Sequence, residues 1–207
     1  MNVQPNRQCR CWLLRAGLLG TFLLTALVAA AAALETYEVD TTHSQVGFKI
    51  RHFFSKVPGR FTDFSGTLQY DPSVPTHSRI TLTIQSASID TDNDRRDNHL
   101  RSDDFFNVEE FPTITFVSKQ ITARQEPDRY DVVGDLTIRD VTREVVVGVE
   151  MLGLAEIPGM GKRGGFEART TIDRTDYGVS WNRLIEAGGA MLGDEVEIEV
   201  SLEVVRQ

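Results

Sequence analysis

Apolar and polar residues alternate along most of the chain, most clearly over residues 42–71. In the first half of that stretch, Val46, Phe48 and Ile50 occupy one parity, and polar residues and a glycine occupy the other. Successive side chains of a strand point to opposite faces, so the pattern predicts strands with one apolar and one polar face. A second alternating run follows a Gly/Pro-containing break, which predicts an antiparallel pair with a bulge near residues 62–63.

Eight runs of this kind follow one another. They lie near Thr42–His52, Gly59–Asp71, Ser78–Ile89, Thr113–Thr122, Arg129–Ile138, Arg143–Leu152, Gly165–Ile172 and Asp194–Val205. Eight amphipathic strands predict an all-β domain, either a two-sheet sandwich or a barrel closed on itself, and alternation alone favours neither. A barrel of this size has an interior about wide enough for one small ligand.

Residues 91–106 break the alternation and predict one short, polar helix. Asp92 is placed to cap its N-terminus, and its few apolar anchors are Leu100, Phe105 and Phe106. Two acid-first i,i+4 ion pairs are expected along it, Asp92–Arg96 and Asp97–Arg101. A helix this polar belongs on the surface, and its place between the third and fourth runs predicts that it caps one end of the β-structure.

Three connections are predicted from their composition. Residues Arg139–Thr142 favour a tight hairpin turn, with Asp140 as the residue that tolerates a left-handed conformation. Residues Gly153–Gly164 and Tyr177–Gly193 are predicted to form longer surface loops. Short connections of this kind suit antiparallel neighbours, and no linker or repeat divides the chain.

The first 33 residues differ from the rest. Three arginines precede an uncharged run from Ala16 to Leu34 that ends in alanines. This order is typical of a secretory signal, so residues 1–33 are predicted to be removed and residues 34–207 to form one domain. We therefore expect a periplasmic or secreted protein. The run is long enough to span a bilayer, so an uncleaved N-terminal membrane anchor is the alternative.

Without residues 1–33 the chain keeps 19 basic and 30 acidic residues, a net charge of −11, and no cysteine. This charge repels phosphate backbones, so nucleic-acid binding is not expected. It also repels anionic headgroups, which argues against unaided binding to a membrane surface. With no disulfides, the stability of the domain has to come from packing.

The sequence contains no recognisable catalytic or metal-binding motif. Neither G-x-S-x-G nor H-E-x-x-H occurs. His99 and Asp103 have an i,i+4 spacing on the helix, but two ligands are too few for a zinc site. His43 and His52 lie on opposite parities and do not form a chelating pair. We therefore expect no catalytic residue and no metal site.

Several motifs within this pattern resemble those of the YceI-like family. They are Asp40-x-x-His43-Ser44-x-Val46-x-Phe48, Gly59-x-Phe61-x-x-Phe64-x-Gly66, Arg96-Asp97-x-His99-Leu100-Arg101-Ser102-x-Asp104-Phe105-Phe106, Phe111-Pro112-x-Ile114-Thr115-Phe116, Gly134-Asp135-Leu136-Thr137-Ile138 and Asp176-Tyr177-Gly178. The resemblance extends from Tyr37 to Val205. It departs from the family at Asp140, where glycine is usual, and in the loop of residues 177–193.

The resemblance implies an eight-stranded antiparallel, lipocalin-like barrel with one short helix capping an end. It also implies an apolar pore that binds a polyisoprenoid, such as an isoprenoid quinone or a polyprenyl lipid, as the ligand, with no other cofactor. A cytochrome b561-type membrane protein is the partner it suggests.

We therefore expect an exported, non-catalytic carrier or storage protein for a long isoprenoid lipid. The residues expected to line the pore are Phe48, Ile50, His52, Phe54, Leu82, Ile84, Leu100, Phe105, Phe106, Phe116, Leu136, Val147 and Ile198. Two alternatives remain open at this stage. One is a structural or interaction module with a filled core that acts through its acidic surface, and the other is an enzyme acting on a lipid substrate.

Overall fold

The computed structural model describes residues 34–183 and 190–207, so the predicted signal segment lies outside the described residues. The strands are β1 (Glu35–Val39), β2 (Gln45–His52), β3 (Ser55–Phe61), β4 (Phe64–Tyr70), β5 (Arg79–Gln85), β6 (Ile89–Asp90), β7 (Thr113–Ala123), β8 (Arg129–Ile138), β9 (Val141–Ile157), β10 (Gly161–Asp173) and β11 (Leu192–Arg206). One α-helix, α1 (Asp94–Arg101), lies between β6 and β7.

These segments form an eight-stranded antiparallel barrel, because β1 and β2, β3 and β4, and β5 and β6 are interrupted halves of single strands. A 3₁₀ turn, Thr41–His43, separates β1 from β2. The predicted irregularity near residues 62–63 is present as the break between β3 and β4. It turns both Phe61 and Phe64 toward the interior, where both are buried. Alternation did not predict β1, which forms the beginning of the first barrel strand.

The barrel is closed by β11, which pairs with β10 along one edge and with both β2 and β1 along the other. Val196 lies opposite Ile50 near one end of this seam, and Val204 lies opposite Val39 near the other. The predicted barrel is therefore confirmed, and the sandwich alternative is wrong.

The predicted loop at residues 153–164 is instead a hairpin. β9 continues to Ile157, and only three residues, Pro158–Met160, separate it from β10. β9 pairs with β8 only as far as Glu150, so the end of the β9–β10 hairpin extends beyond β8. Glycines at both ends of the turn allow this, because Gly159 and Gly161 have φ angles of 80° and 77°.

The turn between β8 and β9 lies where it was predicted, but a different residue takes the left-handed conformation. Arg139, with φ of 57°, does so in place of Asp140. The Arg139 guanidinium donates a hydrogen bond to the carbonyl of Gly178 at 2.9 Å. This contact joins the turn to the segment that follows β10.

Helix α1 is present as predicted, but the contacts that hold it differ from the predicted cap and ion pairs. Its N-cap is Asn93, whose side chain accepts a hydrogen bond from the Arg96 amide, so the assignment of Asp92 is wrong. The expected ion pairs do not form either. Asp97 is buried and accepts from the Thr91 amide at 3.0 Å, and the Arg101 guanidinium donates to the carbonyl of Ile89 at 2.7 Å. These bonds tie the helix to β6.

Among residues 34–183 and 190–207, no helix has the length and apolarity needed to cross a membrane.

Toward the barrel end opposite α1, Tyr37, Leu68 and Val204 form a small buried cluster. The Tyr37 hydroxyl donates to Glu35 at 2.6 Å, and the Lys162 ammonium donates to the same carboxylate at 2.7 Å. The hydrogen bond from Lys162 lowers the pKa of Glu35, and burial raises the pKa of Tyr37 to about 12. The fold therefore favours a neutral phenol beside a charged carboxylate.

Replacing Tyr37 by Phe is expected to destabilise the barrel and to reduce its loss of stability in alkali. The lost hydrogen bond to a charged acceptor corresponds to about 1.5–3 kcal/mol in the free energy of unfolding at neutral pH. Tyr37 has a folded-state pKa raised from 10.0 to about 12. Its contribution is therefore complete below pH 10 and is lost as the pH rises through 12. Urea unfolding across this range measures both effects.

Tyr177 is the matched second variant, because burial also raises its pKa to about 12. Tyr177→Phe should flatten the alkaline decline to a similar degree, and the double variant should flatten it further. A Tyr37→Phe protein that lost stability between pH 10 and 12 as steeply as the wild type would contradict this account.

Candidate functional site

The interior of the barrel is a cavity of about 820 Å³. Inward-facing side chains from around the barrel line it, and most of them are apolar. Residues at mid-barrel, such as Phe48, Val147 and Ile198, are only partly buried, because they face this space instead of another side chain. The interior is therefore hollow, which contradicts the filled core of the interaction-module alternative.

Twelve of the thirteen predicted pore residues line this cavity. They are Phe48, Ile50, His52, Leu82, Ile84, Leu100, Phe105, Phe106, Phe116, Leu136, Val147 and Ile198. Strand periodicity explains this result, because residues of one parity share one face of each strand. That these residues contact a ligand stays a prediction.

Phe54 is the exception, and its assignment to the pore is wrong. It lies in the two-residue turn between β2 and β3 and is fully exposed, at 103%. β2 ends at His52, so the parity that turns His52 inward does not continue into the turn. Phe53, the other turn residue, has a left-handed backbone with φ of 50°.

Two glycines keep the cavity open by letting aromatic rings lie flat against the wall. The ring of Phe48 covers Gly59 on the neighbouring strand, and the ring of Phe116 covers Gly134 in the same way. A methyl group at either glycine would overlap the ring above it. Each ring therefore occupies the space of an absent side chain and leaves the lumen free.

Three charged or strongly polar residues of the lining come from the helix end. Asn93, Arg95 and Arg96 are exposed residues that also line the cavity, so the cavity reaches the surface beside α1. His52, at the end of β2, lines the same end. An amphiphile with its tail in the lumen would therefore place its headgroup here.

An aromatic cluster covers part of this opening. His99 contacts Phe105 and Trp181 edge-on, with ring centroids 5.0 and 4.9 Å apart, and Phe105 lies 5.3 Å from Trp181. His99 Nε2 lies 2.8 Å from a carboxylate oxygen of Asp104. Phe106 packs edge-on against Phe61 at 5.9 Å.

Arg174 holds the segment that carries Trp181. Its guanidinium is 5% exposed and donates to the carbonyls of Val179, Trp181 and Gly193 at 2.6, 3.0 and 2.9 Å. It also pairs with Asp194 at 2.9 Å. A buried guanidinium needs such partners, so these bonds fix the segment against the start of β11.

Sequence reasoning missed several lining residues, among them Arg95, Arg96, Phe166, Trp181, Val200 and Leu202. Val200 and Leu202 share the parity of Ile198 and follow from the same pattern. Phe166 shares the parity of Ala168 and Ile172 on β10, so it also follows from alternation. Arg95, Arg96 and Trp181 depend on how the helix and the segment after β10 fold back over the opening, for which alternation carries no signal.

Asp40, His43 and Glu203 bring three metal-type ligand atoms within 4.8 Å of one another. The guanidinium of Arg163 lies between the two carboxylates, 2.9 Å from Asp40 and in contact with Glu203. Hydrogen bonds from His43 and Arg163 hold the pKa of Asp40 well below its usual range. The carboxylates thus already have a cation, and the group is an ion-pair network that joins β10 and β11 to the first strand.

Comparison with known proteins supports the same architecture. The sequence model of the YceI-like domain matches residues 37–204. A UPF0312 protein of Staphylococcus epidermidis is 43% identical over 169 residues, which cover 81% of this chain and 95% of that protein.

Two solved structures share the fold. BcnA of Burkholderia cenocepacia has a TM-score of 0.70 and 25% identity, over 80% of this chain and 98% of that one. A domain of Saccharophagus degradans, described as a polyisoprenoid binding domain, has a TM-score of 0.64 over 84% of this chain and 99% of that one. The second is only 19% identical, so its likeness concerns the fold alone.

Gly134→Ala is expected to destabilise the barrel by about 1–3 kcal/mol, because the new methyl group overlaps the ring of Phe116. Urea unfolding measures the change. Gly153→Ala is the matched control, since nothing lies within 4 Å of a methyl group there.

A second substitution separates this cause from a general cost of replacing glycine. Adding Phe116→Ala to Gly134→Ala removes the ring that the methyl group overlaps and leaves only its contact with the Val117 carbonyl oxygen. The two changes together should therefore destabilise by less than the sum of the single changes. Simple additivity would argue against the ring-on-glycine contact.

Proposed function

The chain belongs to the YceI-like family, and from this membership we propose that its barrel binds one long isoprenoid lipid in the central cavity. The observation that carries the proposal is the hollow, apolar interior, which opens to the surface beside α1. The S. degradans domain that shares this fold is described as a polyisoprenoid binding domain, which is consistent with this ligand class.

The size of the cavity suits such a ligand. Small-molecule sites span roughly 300–1,000 Å³, and this cavity, at about 820 Å³, lies near the upper end of that range. A water molecule takes about 30 Å³ in the liquid, so the volume holds roughly 27 groups of that size. This is room for several five-carbon isoprene units.

The lining favours a tail over a compact polar molecule. Burial of a methylene-sized group stabilises by about 0.8 kcal/mol, so each isoprene unit contributes roughly 3–4 kcal/mol before the cost of ordering the chain. We propose that the headgroup, of the quinone or polyprenyl type, lies near His52, Arg96 and His99. These side chains offer hydrogen-bond donors at the end where exposed residues of α1 reach the lining.

The proposed role is that of a carrier or storage protein without catalysis. Tight burial of a long tail implies slow release, so a carrier needs an opening that can widen. The segment from Leu100 to Phe106 lies at the cavity opening and contributes both phenylalanines to its lining. We propose that this segment is the gate.

The proposal includes export, because the basic, apolar and alanine-rich order of residues 1–33 is that of a secretory signal. A periplasmic or secreted carrier would exchange its lipid with a membrane or with a membrane protein. A cytochrome b561-type partner, implied by the family resemblance, is the candidate for such a protein.

Organic extraction of the purified protein followed by mass spectrometry tests the ligand class. One prenyl lipid per chain is the expected result, and a protein that neither carries nor takes up a prenyl lipid would overturn the proposal. Chemical conversion of the bound lipid on incubation would instead favour the enzyme alternative.

Val147→Phe is expected to weaken binding of a fluorescent polyprenyl probe about tenfold or more, because the larger side chain enters the lumen. The matched control is Val146→Phe on the same strand, whose side chain points outward and is 55% exposed. Fluorescence titration compares the two. Equal affinities for both variants would contradict binding inside the barrel.

Phe106→Ala is expected to speed exchange of bound lipid between protein and acceptor vesicles severalfold, since it removes a ring from the opening. Phe111→Ala is the control, because Phe111 belongs to the same region but contacts Arg139 and is not part of the lining. A stopped-flow transfer assay measures both rates, and unchanged exchange in Phe106→Ala would remove the gate.

A further inference from the structure

The turn between β2 and β3 places a phenylalanine where folding does not require one. Phe54 is 103% exposed, whereas the next most exposed large apolar side chain among the described residues, Leu152, is 59% exposed. Its neighbour Phe53 holds a left-handed backbone that is rare for a bulky residue. A glycine and a polar residue would form this turn more easily, so the two rings call for another explanation.

This turn lies at the mouth of the cavity. The Phe53 amide donates to the carbonyl of Met191 at 3.0 Å, and the rings of Phe53 and His52 meet edge-on at 4.5 Å. Met191 and His52 both line the cavity. Phe54 therefore projects from the rim of the end at which a lipid would enter.

The flanking charges are basic. Residues 51–56 contain Arg51 and Lys56 and no acidic residue, although the protein as a whole is acidic. Arg51 donates to the carbonyl of Phe53 at 3.3 Å, and Lys56 pairs with Glu197 on the outer wall while staying 58% exposed. Aromatic rings favour the interface of a bilayer, and Lys and Arg extend their charged ends toward phosphates there.

We propose that residues 51–56 form a docking tip that inserts Phe54 into a lipid bilayer and holds the cavity mouth against it. This inference rests on the proposed function and names the partner of the same site. The acidic remainder of the barrel is repelled by anionic headgroups, so only the tip approaches. The net negative charge of the protein disfavours binding through a broad surface. It therefore orients the molecule with the docking tip toward the bilayer.

Flotation of the purified domain, residues 34–207, with protein-free vesicles tests the proposal. The vesicles contain phosphatidylethanolamine with a minor share of phosphatidylglycerol. Phe54→Ser should lower the partition coefficient about tenfold or more, because a ring loses its apolar environment. Met160→Ser is the matched control, since Met160 is also exposed but lies on the β9–β10 turn at the opposite end. It should partition like the wild type.

Binding of a short, water-soluble prenyl probe without vesicles separates docking from ligand binding. Phe54→Ser should bind this probe as the wild type does, because Phe54 does not line the cavity. Lipid transfer from vesicles should slow in parallel with the loss of partitioning.

Two results would overturn the docking tip. One is a wild-type domain that does not float with protein-free vesicles, which would favour a membrane protein as the partner. The other is equal partitioning of Phe54→Ser and wild type. If the wild type failed to bind the soluble probe, that result would count against the proposed function. The flotation comparison tests the docking tip alone and does not depend on probe binding.

Discussion

Pairing of the last strand with the first is the constraint on which the rest of the structure depends. β11 bonds to β10 on one side and to β2 and β1 on the other, and the network around Arg163 adds charged contacts to this seam. Because backbone groups along the seam bond to each other, the sheet has no lateral opening there. The cavity therefore does not open along this seam, and it reaches the surface beside α1.

The interior of a closed barrel can be filled by side chains. Here the choice of side chains keeps the interior hollow. Phe48 and Phe116 lie flat over glycines, so large rings cover the wall without crossing the lumen. The lining atoms then lack partners on one side and forgo dispersion contacts that a filled core would have. A flexible hydrocarbon chain would supply those contacts. Binding of such a chain would therefore stabilise the folded barrel by mass action.

Alternation located the eight strands of the barrel and their inward face, because both follow from a period of two, but it missed β1 and the hairpin formed by the ends of β9 and β10. It did not distinguish barrel from sandwich, since closure depends on the pairing of residues far apart in the chain, such as Ile50 with Val196. Phe54 was wrongly assigned to the pore because residues in a turn do not alternate between two faces as strand residues do. Arg95, Arg96 and Trp181 reach the lining through tertiary contacts made by Arg101 and Arg174, which no local pattern records.

The position of Trp181 has a practical consequence. The chain has two tryptophans, and this is the one outside residues 1–33. Its indole meets the imidazole of His99 and the ring of Phe105 at the rim of the lumen. Emission from a single fluorophore in such a place senses both local polarity and quenching by the imidazole. Residues 34–207 therefore carry a single tryptophan at the rim of the cavity, and binding of the proposed lipid can be followed through its emission without attaching a dye.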